Sequence, residues 1–157
     1  MPQIHLTTVI HAPPERVYDL SRSVRVHQDS MAAFGEKAIG GKVFGLMDLG
    51  DTVTWKARHL RKVRALTVKI TSAHRPYYFR DEMIRGDFKQ MRHEHYFKAI
   101  DNGTIMIDLF QFDTPYGRFG EILNNIYLTG YLKNILTGRN LLIKNYAEGN
   151  RWKVILG

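Results

Sequence analysis

The sequence predicts an α+β domain in which a long C-terminal helix covers an antiparallel sheet, and three observations carry this. Between residues 52 and 112, apolar and polar residues alternate with period 2. The breakers between these runs are only two or three residues long, which joins antiparallel neighbours. After Thr114-Pro115 the apolar residues change to helical spacing and no further proline occurs.

Residues 3–10 alternate and are rich in β-branched side chains, which predicts a first strand. Pro13-Pro14 then opens a short helix with Val17, Tyr18 and Leu20 inward, since proline is well tolerated in a first helical turn. A second short helical piece is expected over 23–34, then a glycine-spaced loop with one possible strand over 35–50. Strands are predicted at 52–60, 63–73, 77–85, 89–100 and 104–112, about six to seven in all. The breakers are Arg61-Lys62, His74-Arg75-Pro76, Gly86-Asp87 and Asp101-Asn102-Gly103. Asn102-Gly103 is a strong two-residue hairpin signal, and it sets Phe97 opposite Asp108, His95 opposite Phe110, and His93 opposite Phe112. The helix is expected over 115–147, with Phe119, Ile122, Leu123 and Ile126, then Leu132, Ile135, Leu136, Leu142 and Tyr146, at its spacing. Gly130 is a candidate bend. The tail 152–156 is apolar and has no assigned role.

One domain over 1–157 suffices, because a chain of 157 residues buries a core without staples. The absence of cysteine excludes disulfides, zinc–thiolate sites, iron–sulfur clusters and cysteine nucleophiles. The N-terminus does not read as a secretory leader and no run approaches the ~20 apolar residues of a membrane span, so the expected compartment is the cytoplasm. The net charge of +8 is local. Residues 55–98 hold twelve Lys/Arg against four acids, and the rest of the chain holds eleven of each.

Strand alternation places Val53, Trp55, Ala57 and His59 inward, and Lys56 and Arg58 outward. One face of the last hairpin carries Met91, His93, His95, Phe97, Met106, Asp108, Phe110 and Phe112. The other carries Arg92, Glu94, Tyr96 and Lys98. A three-residue turn at Gly86 adds Phe79, Asp81 and Met83 to the inner face; a two-residue turn reverses them. A packed core is normally Leu, Ile and Val. Buried histidines and acids are costly unless paired or wet, so this inward list suggests an apolar cavity with a few convergent polar groups.

The order of elements resembles the START-like, birch-pollen-allergen-like superfamily, also called SRPBCC. The run Phe79, Asp81, Gly86, Phe88, Met91, His93, His95, Phe97 is similar to the pattern F-x-D-x-x-x-x-G-x-F-x-x-W-x-H-x-H-x-F of an uncharacterised bacterial ligand-binding subgroup, with Met91 in place of tryptophan. Gly50-Asp51-Thr52-Val53-Thr54-Trp55 and Gly103-Thr104…Asp108 also resemble it. The resemblance implies a helix-grip fold: a curved antiparallel sheet wrapped on the C-terminal helix, two short helices after the first strand, and a pocket between sheet and helix. Such a fold does not dictate a reaction.

The expected function is binding or transport of a small hydrophobic or amphipathic ligand, lipid- or polyketide-like. Trp55, Phe79, Met83, Met91, Phe110, Tyr127 and Tyr131 form the expected apolar wall, and His59, Asp81, His93, His95 and Asp108 orient a polar end. The alternative is a polyketide cyclase/dehydratase-type enzyme, with His93 or His95 as general base oriented by Asp81 or Asp108. His93-Glu94-His95 lacks the helical metal-protease spacing, so no metal and no cofactor are expected. The basic strands 55–98 suit edge protection or contact with an anionic membrane. Nucleic acid is disfavoured because the aromatics alternate inward, away from the charges.

Overall fold

The computed structural model describes residues 2–115, 117–118 and 127–157. Strand β1 (Gln3–Ile10) is followed by helices α1 (Pro14–Ser21) and α2 (Val24–Ser30), and a short 3₁₀ turn (Ala32–Phe34). Strands β2 (Lys37–Gly41), β3 (Thr52–His59), β4 (Lys62–His74), β5 (Tyr78–Arg85), β6 (Gln90–Ile100) and β7 (Gly103–Asp113) come next. Helices α3 (Thr129–Glu148) and α4 (Arg151–Leu156) end the chain. The seven strands form one antiparallel sheet in the order β1-β7-β6-β5-β4-β3-β2. No described helix is long and apolar enough to cross a membrane.

Alternation puts Val53, Trp55, Val68, Ile70, Phe79, Phe97, Met106, Phe110 and Phe112 on the buried face, where α3 meets them with Leu136, Ile143 and Ala147. The inward and outward sets predicted for β3, β6 and β7 are those observed. Lys56 and Arg58 are exposed, and Arg92, Glu94, Tyr96 and Lys98 lie on the outer face. Strand β4 shifts register twice, between Thr67 and Val68 and between Ile70 and Ser72. Such bulges bend a strand, and they curl the sheet around α3.

Two turns differ from expectation. Ile100 pairs with Gly103, so Asp101-Asn102 forms the β6–β7 turn, and the true partners are His93 with Phe110, His95 with Asp108, and Phe97 with Met106. The faces survive because the shift keeps parity. Gly103 serves a close approach rather than a turn: a Cβ there would lie 2.2 Å from the Ile10 carbonyl oxygen. The β3–β4 turn is Leu60-Arg61 rather than Arg61-Lys62, because His59 pairs with Lys62. Both turn residues have positive φ, 53° and 66°, which two-residue hairpin turns require and which costs energy without glycine.

The predicted helix over 115–147 is seen as α3 in its second half. Phe119, Ile122, Leu123 and Ile126 lie outside the described residues. Gly130 sits in the first turn of α3 with nothing within 4 Å of where its Cβ would be. The tail forms α4, docked beside α1 with the Arg16 guanidinium 3.8 Å over the Trp152 ring.

Candidate functional site

Between the concave sheet and α3 lies a cavity of about 360 Å³, within the size range of small-molecule sites. Of the expected wall residues, Trp55, His59, Phe79, Asp81, Met91, His93, His95, Phe110 and Tyr131 line it. Three lie off its surface. Asp108 is fully buried behind the histidines. Met83 packs against the core beyond the wall, with its Sδ 2.8 Å from where a Cβ on Gly86 would be. Tyr127 is 54% exposed, because it precedes the first turn of α3 and faces outward.

Strand pairing creates the polar end. Asp81 lies opposite His93, Phe79 opposite His95, and His95 opposite Asp108. The side chains then bond diagonally. His95 Nε2 donates to Asp81 Oδ2 at 2.8 Å, and His93 Nε2 donates to Asp108 Oδ1 at 2.8 Å. The His93 and His95 rings stack at 3.7 Å, and Phe79 covers His95 at 4.1 Å. The motif thus builds a ring column, Phe97–Phe79–His95–His93, flanked by two carboxylates.

Helix α3 closes the column. Asn140 Nδ2 donates to Asp108 Oδ2 at 2.8 Å, and Arg139 Nη1 lies 3.5 Å from Asp108 Oδ1 while donating to Asn140 Oδ1 at 2.9 Å. Arg139 Nη2 also donates to the Ser21 carbonyl at 3.3 Å. Asp108 therefore ties β6, β7 and α3 together, and Arg139 extends the tie to the end of α1. The sequence reading misses Arg139 and Asn140. The available signal is spacing: Leu136, Asn140, Ile143 and Ala147 form the buried stripe of α3, with a polar residue inside it.

Burial opposes charge on Asp108, but hydrogen bonding and charge from the histidines outweigh it and hold the carboxyl well below its usual range. Asp81 is also lowered, burial being overcome by the His95 hydrogen bond. Burial, then the neighbouring His95, pushes His93 down to about 4. His93 is thus neutral near pH 7, with its proton on Nε2 and its lone pair on Nδ1.

A second polar group lies outside what the sequence indicates. His27 Nδ1 donates to the buried Glu36 Oε2 at 2.6 Å, and the His27 ring stacks on Trp55 at 4.1 Å. All three line the cavity. Nearby, His59 Nδ1 and the Tyr131 hydroxyl are 2.9 Å apart, with Phe34 against the imidazole at 4.7 Å. Burial lowers the His59 pKa. Helix α2 and the short segment before β2 supply this group, where no periodic pattern marks an inward side chain.

One atom each of Asp81, His93 and His95 falls within 4.8 Å of the others, the residue types of a two-histidine, one-carboxylate metal site. The geometry suits hydrogen bonding better. The two rings are inclined by only 28°, so their in-plane lone pairs run side by side rather than converge, and each ring already gives an N–H to a carboxylate.

The curved seven-stranded sheet, the long C-terminal helix and the cavity between them define a helix-grip fold. No family model matches the chain, and no curated protein matches it. Solved structures do. The CV1439 protein of Chromobacterium violaceum is similar at 13% identity over 94% of this chain and 98% of that one, with a TM-score of 0.73. TTHA0849 of Thermus thermophilus is similar at 17% identity over 90% and 97%, with a TM-score of 0.70. The major latex-like protein 151 of Panax ginseng is similar at 12% identity over 94% and 98%, with a TM-score of 0.69. The TM-scores establish a shared fold, and identities this low carry nothing beyond it.

Proposed function

We propose that this chain, as one START-like domain akin to the bacterial ligand-binding subgroup its motif resembles, binds or carries a small hydrophobic or amphipathic ligand of lipid- or polyketide-like character. The observation that carries the reading is the cavity of about 360 Å³, walled by Val53, Trp55, Ile70, Met91 and Phe110 and ending on a buried His–Asp column. A filled core would gain more from Leu or Val at His93, His95 and Asp81, since buried polar groups add little net stability even when bonded. Polar groups kept at the edge of an apolar space orient a ligand. Native mass spectrometry of gently purified protein is expected to show an adduct of small-molecule mass. A protein that carries no adduct and takes up no apolar probe would refute the reading.

The two imidazole–carboxylate pairs favour one second reading: acid–base catalysis of a cyclase or dehydratase kind in the same cavity. Asp108 orients His93 as a carboxylate orients a general base. The low pKa of His93 works against it, because a base near 4 takes protons weakly at neutral pH. Incubating the ligand with wild-type protein and with His93→Ala separates the two. A product formed only by the wild type, seen as a changed mass or as an isomer with a changed chromatographic retention, supports catalysis. A ligand recovered unchanged in both mass and retention supports carriage.

We also propose that the basic strands 55–98 bring the molecule to anionic membranes. Lys56, Arg58, Arg61 and Lys62 are exposed in one stretch, and each such cation near an anionic surface contributes roughly 1 kcal/mol.

A further inference from the structure

The cations and anions of the cavity wall are treated differently by the rest of the molecule. Three guanidiniums line the cavity, and each is matched by an acid. Arg22 bonds Asp19 at 2.7 Å and Asp48 at 2.6 Å, Arg64 bonds Asp87 at 2.7 Å, and Arg139 lies against Asp108 at 3.5 Å. The wall carboxylates Asp81 and Glu36 receive side-chain hydrogen bonds, among the described residues, only from His95 and His27. A carboxylate that accepts one side-chain hydrogen bond keeps lone pairs for a further donor. Both polar ends of the cavity therefore offer carboxylate acceptors with lone pairs to spare, although the whole chain carries +8.

The two ends are well separated. Asp81, His93 and His95 stand on β5 and β6, while Glu36 and His27 gather at Trp55 of β3. Three strand spacings lie between β3 and β6, roughly 14 Å along the sheet. Apolar and aromatic side chains, Val53, Val68, Ile70 and Phe79, occupy the wall between them.

We infer that the cavity is a two-ended receptor for an uncharged, ring-based ligand with a hydroxyl donor at each end, and that it discriminates against carboxylates such as fatty acids. The inference rests on the ligand-binding reading above and narrows its chemistry. A hydroxyl gives a charge-assisted hydrogen bond to Asp81 or Glu36, the stronger kind. A ligand carboxylate meets like charge in a low-dielectric space, with each wall guanidinium already engaged. Discrimination by such a site is asymmetric: an analogue lacking the hydroxyl leaves a buried acceptor unpaired.

The test uses four probes of one shape: trans-stilbene, its para-monohydroxy and para,para′-dihydroxy derivatives, and the para,para′-dicarboxylate. Their dissociation constants are measured by displacement of the neutral fluorophore N-phenyl-1-naphthylamine. The diol is expected to bind tightest, about tenfold tighter than the monohydroxy compound, a gain of one charge-assisted hydrogen bond. The dicarboxylate is expected to bind more weakly than bare stilbene. In Glu36→Gln and in Asp81→Asn, the preference for diol over bare stilbene is expected to fall roughly tenfold, with thermal melting reporting that each variant folds. If a variant does not fold, the wild-type series decides alone. Stilbene binding as tightly as the diol, or the dicarboxylate binding best, overturns the two-ended inference and leaves an apolar-ligand protein. If neither the fluorophore nor any stilbene binds, both readings fall together.

Discussion

His93 is held neutral by its surroundings, and this makes stability depend on pH. Its pKa is pushed from 6.5 down to about 4, by burial first and by His95 second. Between those values the unfolded chain binds a proton that the folded chain refuses. Stability therefore falls as pH is lowered from 6.5 towards 4, by an amount on the order of 2–3 kcal/mol, and no such penalty exists above that window. Urea melts across this range are expected to show a shallower slope in His93→Gln than in the wild type. Asp108 has a different role. It is fully buried between His93, Asn140 and Arg139, so Asp108→Asn strands a buried guanidinium. That substitution is expected to cost about 3 kcal/mol in chemical denaturation, and Asp108→Asn/Arg139→Met is expected to recover part of it. The His93, His95 and Asp108 part of the column is legible in the sequence because alternation along strands assigns faces even when register is wrong by a pair. The face of Asp81 turns on the length of the connection at Gly86, which leaves both faces open. Glu36 and His27 are not legible, since a loop residue and a short-helix residue carry no period from which burial can be read.

Elements depend on a few close approaches. The end of β1 passes so near Gly103 that a Cβ would lie 2.2 Å from the Ile10 oxygen, and a backbone atom cannot swing aside as a side-chain tip can. Gly103→Ala is expected to cost about 2–3 kcal/mol, and amide exchange is expected to quicken along Val9 and Ile10, the far end of the β1–β7 pairing. In sequence the same glycine reads as the centre of a turn, because Asn-Gly carries both meanings and only the neighbouring strand distinguishes them. The register slip in the last hairpin follows from that ambiguity alone. The tail is the converse case. Trp152 has no role assignable from sequence, yet its ring lies under Arg16 at 3.8 Å and fixes α4 on α1. Trp152→Ala is expected to lower stability by about 1 kcal/mol and to raise exchange in α4 before any strand is affected. The bulges of β4 are illegible for a related reason: an extra residue within an alternating run looks, in sequence, like an ordinary change of face.

At the scale of the whole molecule, charge is sorted. The basic excess of residues 55–98 lies on strands whose outer side chains face solvent, while the carboxylates Asp81 and Glu36 point into the cavity between sheet and helix. An anionic membrane surface would feel the outside only. Flotation with phosphatidylserine vesicles is expected to recover the protein at low salt and to lose it as ionic strength rises towards roughly 0.5 M, where screening shortens to a few ångströms. Lys56→Glu/Arg58→Glu is expected to reduce recovery without lowering the melting temperature. The segregation is half visible in sequence. Composition locates the outer charge and the strand pattern offers Asp81, but Glu36 enters the cavity only when helix α2 and the loop before β2 are folded over the sheet.

The tie at Asp108 also sets how fast a ligand can come and go. Parting α3 from the sheet at that end would break the bonds from Asn140 and Arg139 and leave a buried carboxylate bare, so the deep end stays shut. At the other end Leu60 and Asp87 both line the cavity and reach solvent, and Leu60 stands in a two-residue turn with positive φ. Traffic is therefore expected to pass the β3–β4 turn, with the two ends dividing the kinetics between them. In stopped-flow measurements, Leu60→Gly should change association and dissociation rates by the same factor and leave the dissociation constant in place. Asp81→Asn should act on dissociation alone. The deep polar end would set affinity and the β3–β4 turn the speed of exchange, so exchange could be altered without changing affinity, and affinity without changing the association rate.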